Sequence, residues 1–299
     1  MGILINKNSK VMVQGITGKE GERGAKYMLD YGTKVVCGVT PSKGGLVVEG
    51  LPVFDSVKEA KDFDSGIDVS VLYVPPLMVY DAAMEAMQNK IKTLLIFTEN
   101  VPIKDVSLLL EFASNNECRV IGCSSIGVLN VGETKLGSIG GGYDDMFCKG
   151  NVGIISKSGG MCAETSLILT QQGIGQSTVI GIGGDVIIGT TFVDVLELFE
   201  KDKNTKLVVL YGEVGGFYEE QVAQMIKDGG FTKPVIAFIS GSFVETLPRN
   251  LAVGHAGAIL EHGIGSVKGK KKLLKKVGVH VVDYYHEIPE KVKEILNGI

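Results

Sequence analysis

The sequence predicts an α/β protein built on two mainly parallel sheets. Three observations carry this expectation. Short apolar runs alternate with longer amphipathic stretches along nearly the whole chain, which is the rhythm of βαβ units. Glycine-rich turns close several of the apolar runs. Glycine is abundant (41 of 299 residues) but not periodic, as expected of tight strand-to-helix turns and not of a fibrous repeat. Finally, the rhythm breaks once, at 128–149, which is rich in Gly and turn residues. The break predicts two domains, 1–127 and 128–299, each with about five strands and length enough for its own core.

In the first domain, Val11–Gln14, Lys34–Gly38, Val69–Val74, Thr93–Phe97 and Val120–Ile121 read as buried strands. Gly21–Tyr31, Val57–Ala60, Pro76–Asn89 and Ile103–Asn115 read as the helices between them. In the second domain the strands are Val152–Ser156, Ser177–Ile182, Leu207–Tyr211, Val235–Ile239 and His280–Val282. Its helices are Met161–Gln172, Thr191–Lys201, Tyr218–Lys227, Lys270–Val277 and one from Pro289.

Composition narrows the function. The net charge of −4 argues against non-specific nucleic-acid binding. The lysine run from Lys268 to Lys276 reads as a solvated helix face. Five cysteines, Cys37, Cys118, Cys123, Cys148 and Cys162, form neither a CxxC pair nor a zinc spacing, so a reducing compartment and no structural metal are expected. No apolar run is long enough for a membrane span. The chain opens on a strand-like segment with no visible targeting peptide. A cytoplasmic location is expected, or the mitochondrial matrix for a processed eukaryotic chain.

The first strand runs into Gly15-Ile16-Thr17-Gly18-Lys19-Glu20-Gly21 and then a helix. Such a turn brings backbone N–H groups to a phosphate at a helix N-terminus. The spacing is GxxGxxG, not the dinucleotide GxGxxG. The second strand ends in Val39-Thr40-Pro41-Ser42-Lys43-Gly44-Gly45, without the acid that an NAD site places on the ribose. Lys43 among glycines suits a ligand with additional phosphate, and coenzyme A fits better than NAD. Tyr73-Val74-Pro75 and Thr98-Glu99, at the next two strand ends, would flank the same crevice.

The second domain carries its own anion seat, Ser156-Lys157-Ser158-Gly159-Gly160-Met161, between a strand and a helix. Gly181-Ile182-Gly183-Gly184-Asp185 and Gly212-Glu213-Val214-Gly215-Gly216 end the neighbouring strands. Of four histidines, only His255 lies in a small-residue loop, Gly254-His255-Ala256-Gly257-Ala258. Small neighbours let the backbone come close to the imidazole. Glu213 is its candidate partner, fixing the tautomer and stabilising the cation. With Ser158, Gly159 and Gly160 as the phosphate seat, this set predicts a histidine that takes up a phosphate and passes it on. His262, His280 and His286 have no such setting.

These motifs resemble the succinate–CoA ligase alpha-subunit family, with its citryl-CoA synthetase and ATP-citrate lyase relatives. The resemblance covers essentially the whole chain. It rests on GITGKEG at 15–21, GVTPSKGG at 38–45, YVPP at 73–76, SKSGG at 156–160, GIGGD at 181–185, GEVGG at 212–216 and GHAGAI at 254–259. It implies a Rossmann-like CoA-binding domain at 1–127 and a flavodoxin-like ligase domain at 128–299, with His255 as phosphohistidine and Glu213 as its partner. CoA contacts are implied at Thr17, Gly18, Lys19, Glu20, Gly21, Lys43, Tyr73, Val74, Pro75, Thr98 and Glu99. It further implies a separate ATP-grasp subunit of the beta type, binding ATP or GTP with Mg2+, and a heterodimer or heterotetramer acting on a small carboxylic acid.

The departures point to the acid. Typical succinate enzymes carry SGTLT where this chain has Ser158-Gly159-Gly160-Met161, and the exchange of Thr for Gly makes room for a larger acid. Lys135 to Gly142 also resembles the citrate branch. Leu251-Ala252-Val253 replaces the Lys-Arg-Met run usual in succinate enzymes. Phe192 to Glu200 and the GHAGAI ending resemble the succinate branch instead. The family's GPNCPG turn has become Gly122-Cys123-Ser124-Ser125-Ile126-Gly127, near the expected thiol end of CoA. The expectation is a citryl-CoA-forming ligase, with succinate–CoA ligase as the alternative. Two rivals stand beside it: an NAD-dependent dehydrogenase, and a non-catalytic CoA-binding regulatory module.

Overall fold

The computed structural model describes residues 2–246, 254–259 and 265–298. The Leu251–Val253 segment and His262 lie outside the described residues. Among the described residues the strands form two sheets of seven. The first contains β1 (Lys10–Gln14), β2 (Lys34–Val39), β3 (Val47–Val48), β4 (Leu51–Phe54), β5 (Val69–Leu72), β6 (Thr93–Ile96) and β7 (Arg119–Ile121). Their order is β3-β4-β2-β1-β5-β6-β7. All its pairs are parallel except the short β3–β4 hairpin. The chain thus leaves β1 towards β2 on one side and returns to β5 on the other. That reversal opens a crevice at the strands' carboxyl ends.

The second sheet contains β8 (Gly127–Asn130), β9 (Thr134–Gly137), β10 (Lys149–Ser156), β11 (Gln176–Gly181), β12 (Leu207–Glu213), β13 (Val235–Ser240) and β14 (His280–Val281). The order is β14-β13-β12-β10-β11-β8-β9. The β8–β9 hairpin pairs antiparallel and docks antiparallel on β11. The segment at 128–149 therefore begins as an edge hairpin of this sheet. The hairpin also reaches the first sheet's helix layer: Thr33 Oγ1 donates to the Lys135 carbonyl at 2.6 Å and accepts from Lys135 N–H at 3.0 Å.

The helices are α1 (Lys19–Asp30), α2 (Val57–Phe63), α3 (Val79–Gln88), α4 (Ile103–Asn115), α5 (Gly159–Thr170), α6 (Phe192–Lys201), α7 (Tyr218–Lys227), α8 (Val267–Lys276) and α9 (Ile288–Leu296). Their starts follow local chemistry. Ser56, Ser158, Thr191 and Ser266 each cap a helix by accepting a backbone N–H, and Thr191 with Asp194 forms a capping box. On α6, Phe192, Val195, Leu196 and Phe199 recur at helical spacing and are fully buried. Gly153 on β10 makes room for Phe199, since a Cβ there would lie 2.8 Å from its ring. Truncating either phenylalanine to alanine costs about 3–5 kcal/mol. Among the described residues no helix is long and apolar enough to cross a membrane.

Lys270 overturns the reading of 268–276 as a uniformly solvated face. It is 1% exposed, while Lys268, Lys272, Lys275 and Lys276 of the same helix are exposed. Helical spacing brings position 270 to the buried side along with Val267 and Leu274.

Candidate active site

At the first crevice, Gly15 has φ +81° and a Cβ there would lie 2.6 Å from the Tyr73 carbonyl. Only glycine fits that turn. Gly18 stands at the start of α1, where the first-turn N–H groups lack helical partners. A Cβ at Gly21 would meet the Gly15 carbonyl at 2.2 Å, so the third glycine lets the helix pack against the turn. Thr17 is half-buried, and Gly18, Lys19, Glu20 and Lys43 are exposed. Gly44 N–H donates to Asp55 Oδ1 at 2.7 Å, fixing the loop that carries Lys43.

Tyr73, Val74 and Pro75 follow β5, and Thr98 and Glu99 follow β6. Thr98 Oγ1 donates to the Val74 carbonyl at 2.6 Å, joining the two strand ends. Tyr73 turns beneath α1, its hydroxyl 2.8 Å from Ser138 Oγ, and a Cβ at Gly24 would collide with it at 2.2 Å. Tyr73 thus packs the helix and ties the Lys135–Gly142 segment to the first sheet. The turn at 122–127 lies between the sheets: Ser124 N–H donates to the Thr98 carbonyl at 2.9 Å, and Ser125 Oγ to the Gly181 carbonyl at 2.5 Å.

At the second crevice three strand ends converge on His255. A Cβ at Gly184 would fall 2.4 Å from the His255 ring, and one at Gly215 would lie 2.4 Å from Ile259 N. Gly257 N–H donates to the Gly184 carbonyl at 2.9 Å. The histidine loop is therefore seated between the turns after β11 and β12, both open to it only because they are glycine. His255 Nδ1 lies 2.7 Å from Glu213 Oε2. On the carboxylate's other side, Lys157 Nζ lies 2.9 Å from Oε1 as an ion pair without hydrogen-bond alignment.

The charges follow. The hydrogen bond to Glu213 raises the His255 pKa above its usual 6.5; burial and Lys157 oppose that rise. Burial alone would raise Glu213, but His255 and Lys157 overcome it and hold the carboxyl below its usual range. Asp185, 6% exposed, accepts from Asn100 N–H at 3.3 Å, and burial raises its pKa. This bond brings the loop after β6 beside the histidine. A cavity of about 260 Å3 lies there, lined in part by Asn100, Val101, Pro102, Asp185, Val186 and Ala256.

Ser158, Gly159 and Gly160 open α5, and Ser158 Oγ caps it by accepting from Met161 N–H. Lys157, immediately before them, joins this seat to Glu213. The Cβ position of Gly160 is open, with nothing within 4 Å. Beneath the carboxylate lies a second ion pair. Lys270 Nζ donates to the carbonyls of Glu213 (3.0 Å) and Gly215 (2.5 Å) and pairs with Glu219. Glu219 Oε1 in turn accepts from Glu213 N–H at 3.0 Å. No thiol competes as nucleophile from the core: burial pushes Cys37, Cys123 and Cys162 up to about 12 and Cys118 to about 11.

Neither Lys157 nor Lys270 is among the sequence-predicted site residues. Position inside SKSGG is the one signal that singles out Lys157. For Lys270 the only signal is spacing, three residues after Val267 and four before Leu274.

The CoA binding domain family matches residues 6–100, and the CoA-ligase family matches residues 155–280. The succinate–CoA ligase [ADP-forming] subunit alpha of Aquifex aeolicus is 42% identical over 301 residues, covering 100% of this chain and 96% of that protein. The chain belongs to the succinate–CoA ligase alpha-subunit family. Its Staphylococcus aureus counterpart is 46% identical over 279 residues, covering 93% of this chain and 90% of that one. Solved structures with the same fold include the Methanosaeta concilii ATP citrate lyase in complex with (3S)-citryl-CoA, at TM-score 0.92 and 24% identity. The match covers 99% of this chain and 51% of the lyase, so this chain spans about half the lyase's length. A dinucleotide-forming acetyl-coenzyme A synthetase of Ca. Korarchaeum cryptofilum aligns at TM-score 0.74 and 23% identity, covering 93% of this chain and 59% of that one. These two show the fold alone. The relatives above 40% identity are succinate enzymes, and they favour the succinate alternative over the citrate expectation.

Proposed function

We propose that this chain is the alpha-type subunit of a succinate–CoA ligase and carries phosphate on His255. The observation that carries the reading is the 2.7 Å contact between His255 Nδ1 and Glu213 Oε2. With Nδ1 held by a carboxylate, Nε2 is the nitrogen that attacks phosphorus. Attack on the terminal phosphorus of a nucleoside triphosphate forms the P–N bond, and the diphosphate leaves. A succinate carboxylate oxygen then attacks the phosphorus, the P–N bond breaks, and succinyl phosphate forms. The CoA thiol attacks the acyl carbon, releasing inorganic phosphate and the thioester. Amides at the start of α5 are placed to stabilise the transferring phosphoryl oxygens.

CoA would lie with its phosphates over Thr17–Gly21 and Lys43 and run past Tyr73–Pro75 and Thr98–Glu99 towards His255. In this reading the nucleotide and its Mg2+ belong to a separate beta-type subunit; the relatives' designation as subunit alpha supports the existence of such a partner. Among the described residues no group of three or more His, Cys, Asp or Glu could hold a metal ion.

The citrate reading keeps one supporting observation, the open space at Gly160. Reconstitution with a beta-type subunit tests both, with Mg-ATP or Mg-GTP, CoA and either acid. Succinyl-CoA formation is expected. Citryl-CoA without succinyl-CoA would replace the substrate assignment. CoA binding with neither thioester would favour the non-catalytic module.

A further inference from the structure

Lys157 is 1% exposed and its ammonium is enclosed in protein. It has two neighbours of note. Glu213 Oε1 is 2.9 Å away, and the Tyr218 ring lies beneath it with its centroid at 5.4 Å. Among the described residues no acceptor lies in hydrogen-bond alignment with Nζ. An ammonium buried this way is a poor source of stability, since the desolvation of both ions offsets their attraction. A charge kept in such a place points to the group it faces. That group is the carboxylate whose other oxygen holds His255.

We infer that Lys157 is a positioning residue that sets the charge of the nucleophile: its buried ammonium, held against Glu213 Oε1, offsets the carboxylate's pull on the imidazole, so that more of His255 is neutral with the Nε2 lone pair free to attack. The inference rests on the proposed role of His255 as phosphate carrier.

Charges from several elements surround the imidazole. Glu213 at the end of β12 favours the imidazolium, as does Glu99 after β6. Asp185, after β11, also interacts with the ring, but burial raises its own pKa and weakens its anionic pull. Lys157, after β10, is the cation that opposes them, its charge disfavouring a second positive charge on the ring. Glu219 and Lys270, from α7 and α8, neutralise each other directly beneath. Glu220 lies beside them with its pKa raised by burial. Without Lys157, a buried carboxylate and an imidazole would hold one shared proton more tightly. Nε2 would then carry that proton over a wider pH range and could not attack.

A merely structural role for Lys157 predicts something different: a slower enzyme at every pH. The test therefore uses Lys157→Met, which keeps the side chain's length without charge, and Lys157→Arg, which keeps the charge. Both are reconstituted with the beta subunit, with histidine isotopically labelled in this chain only. Two quantities are read: the NMR titration of His255, and the pH profile of single-turnover phosphorylation by Mg-ATP. Thermal unfolding and CoA binding establish that the variants are folded.

In Lys157→Met the His255 midpoint is expected to rise by about one pH unit, and phosphorylation below that midpoint to slow about tenfold. At high pH the rate returns to that of the unaltered protein. Lys157→Arg is expected to restore the midpoint. An unmoved His255 titration, or a rate lowered equally at all pH values, would overturn the inference. So would an arginine variant that behaves like methionine. If the unaltered protein takes up no phosphate, the phosphate-carrier reading fails, and the titration still decides whether Lys157 governs the charge of His255.

Discussion

At the end of β1 the chain offers a ligand backbone N–H groups and exposed side chains, Lys19, Glu20 and Lys43. At the end of β12 it offers a buried carboxylate bracketed by His255 and Lys157 and supported from below by Lys270 and Glu219. Both places are glycine-rich turns at the carboxyl ends of parallel strands. The difference lies in where the charge is kept. A crevice that holds a large, charged coenzyme needs open N–H groups and lysines that water can screen. A crevice that makes and breaks a P–N bond needs charges fixed before the ligand arrives, in a medium of low dielectric. Substitutions should therefore act differently in the two.

The largest effect on stability is expected at Lys270. Lys270→Met leaves Glu219 charged, buried and unpaired, and removes the donor to the Glu213 and Gly215 carbonyls. A loss of about 3–5 kcal/mol is expected in denaturant unfolding. The double change Lys270→Met with Glu219→Leu should recover much of it, because no unpaired ion remains. A loss below 1 kcal/mol (about the limit for a surface pair) would mean that the second crevice is not held by buried charge.

Glu213→Gln comes next. It should slow phosphorylation of His255 about 100-fold while leaving CoA affinity unchanged. The pH profile should move as well. His255 loses its charge as pH rises through a midpoint that Glu213 holds above 6.5, and only the neutral ring can act as the proposed nucleophile. Removing the carboxylate's charge should bring that midpoint down. An upward or unchanged midpoint in stopped-flow phosphorylation would contradict the assignment of the hydrogen bond as its cause.

The smallest effect belongs to the first crevice. Lys43→Ala removes one exposed charge, so CoA binding should weaken by about 1 kcal/mol or less, and less still at high salt. Calorimetric titration at two ionic strengths measures this. Phosphorylation without CoA should be untouched. A loss of phosphorylation in Lys43→Ala would erase the distinction between the two crevices.

The sequence made some of this legible because the signal is local. Gly15, Gly18 and Gly21 mark their turn by spacing alone, and the βα turns fall where the apolar runs end. His255 and Glu213 are 42 residues apart, yet each stands in a glycine-rich turn, and Glu213 ends a parallel strand, where ligands bind. What stayed hidden depends on distant packing. Lys270 reaches residues 51 to 57 positions away, and five other lysines within Lys268–Lys276 mask its one buried member. Lysine is so seldom buried that the sequence marks Lys157 only as part of a phosphate seat. The β3–β4 and β8–β9 hairpins have strands of two to four residues, too short for alternation to register. Lys135 interrupts the apolar pattern of β9 while being fully buried itself, its ammonium bonded to Asp144 and the Gly141 carbonyl.

On the reading proposed above, His255 carries phosphate. Intact mass of this chain, complexed with its beta subunit and exposed to Mg-ATP or Mg-GTP, tests it most directly. The expected result is the gain of one acid-labile phosphate, absent from His255→Asn and discharged by succinate with CoA. A phosphate that persists in His255→Asn, or no phosphate with either nucleotide in a fully assembled complex, would contradict it.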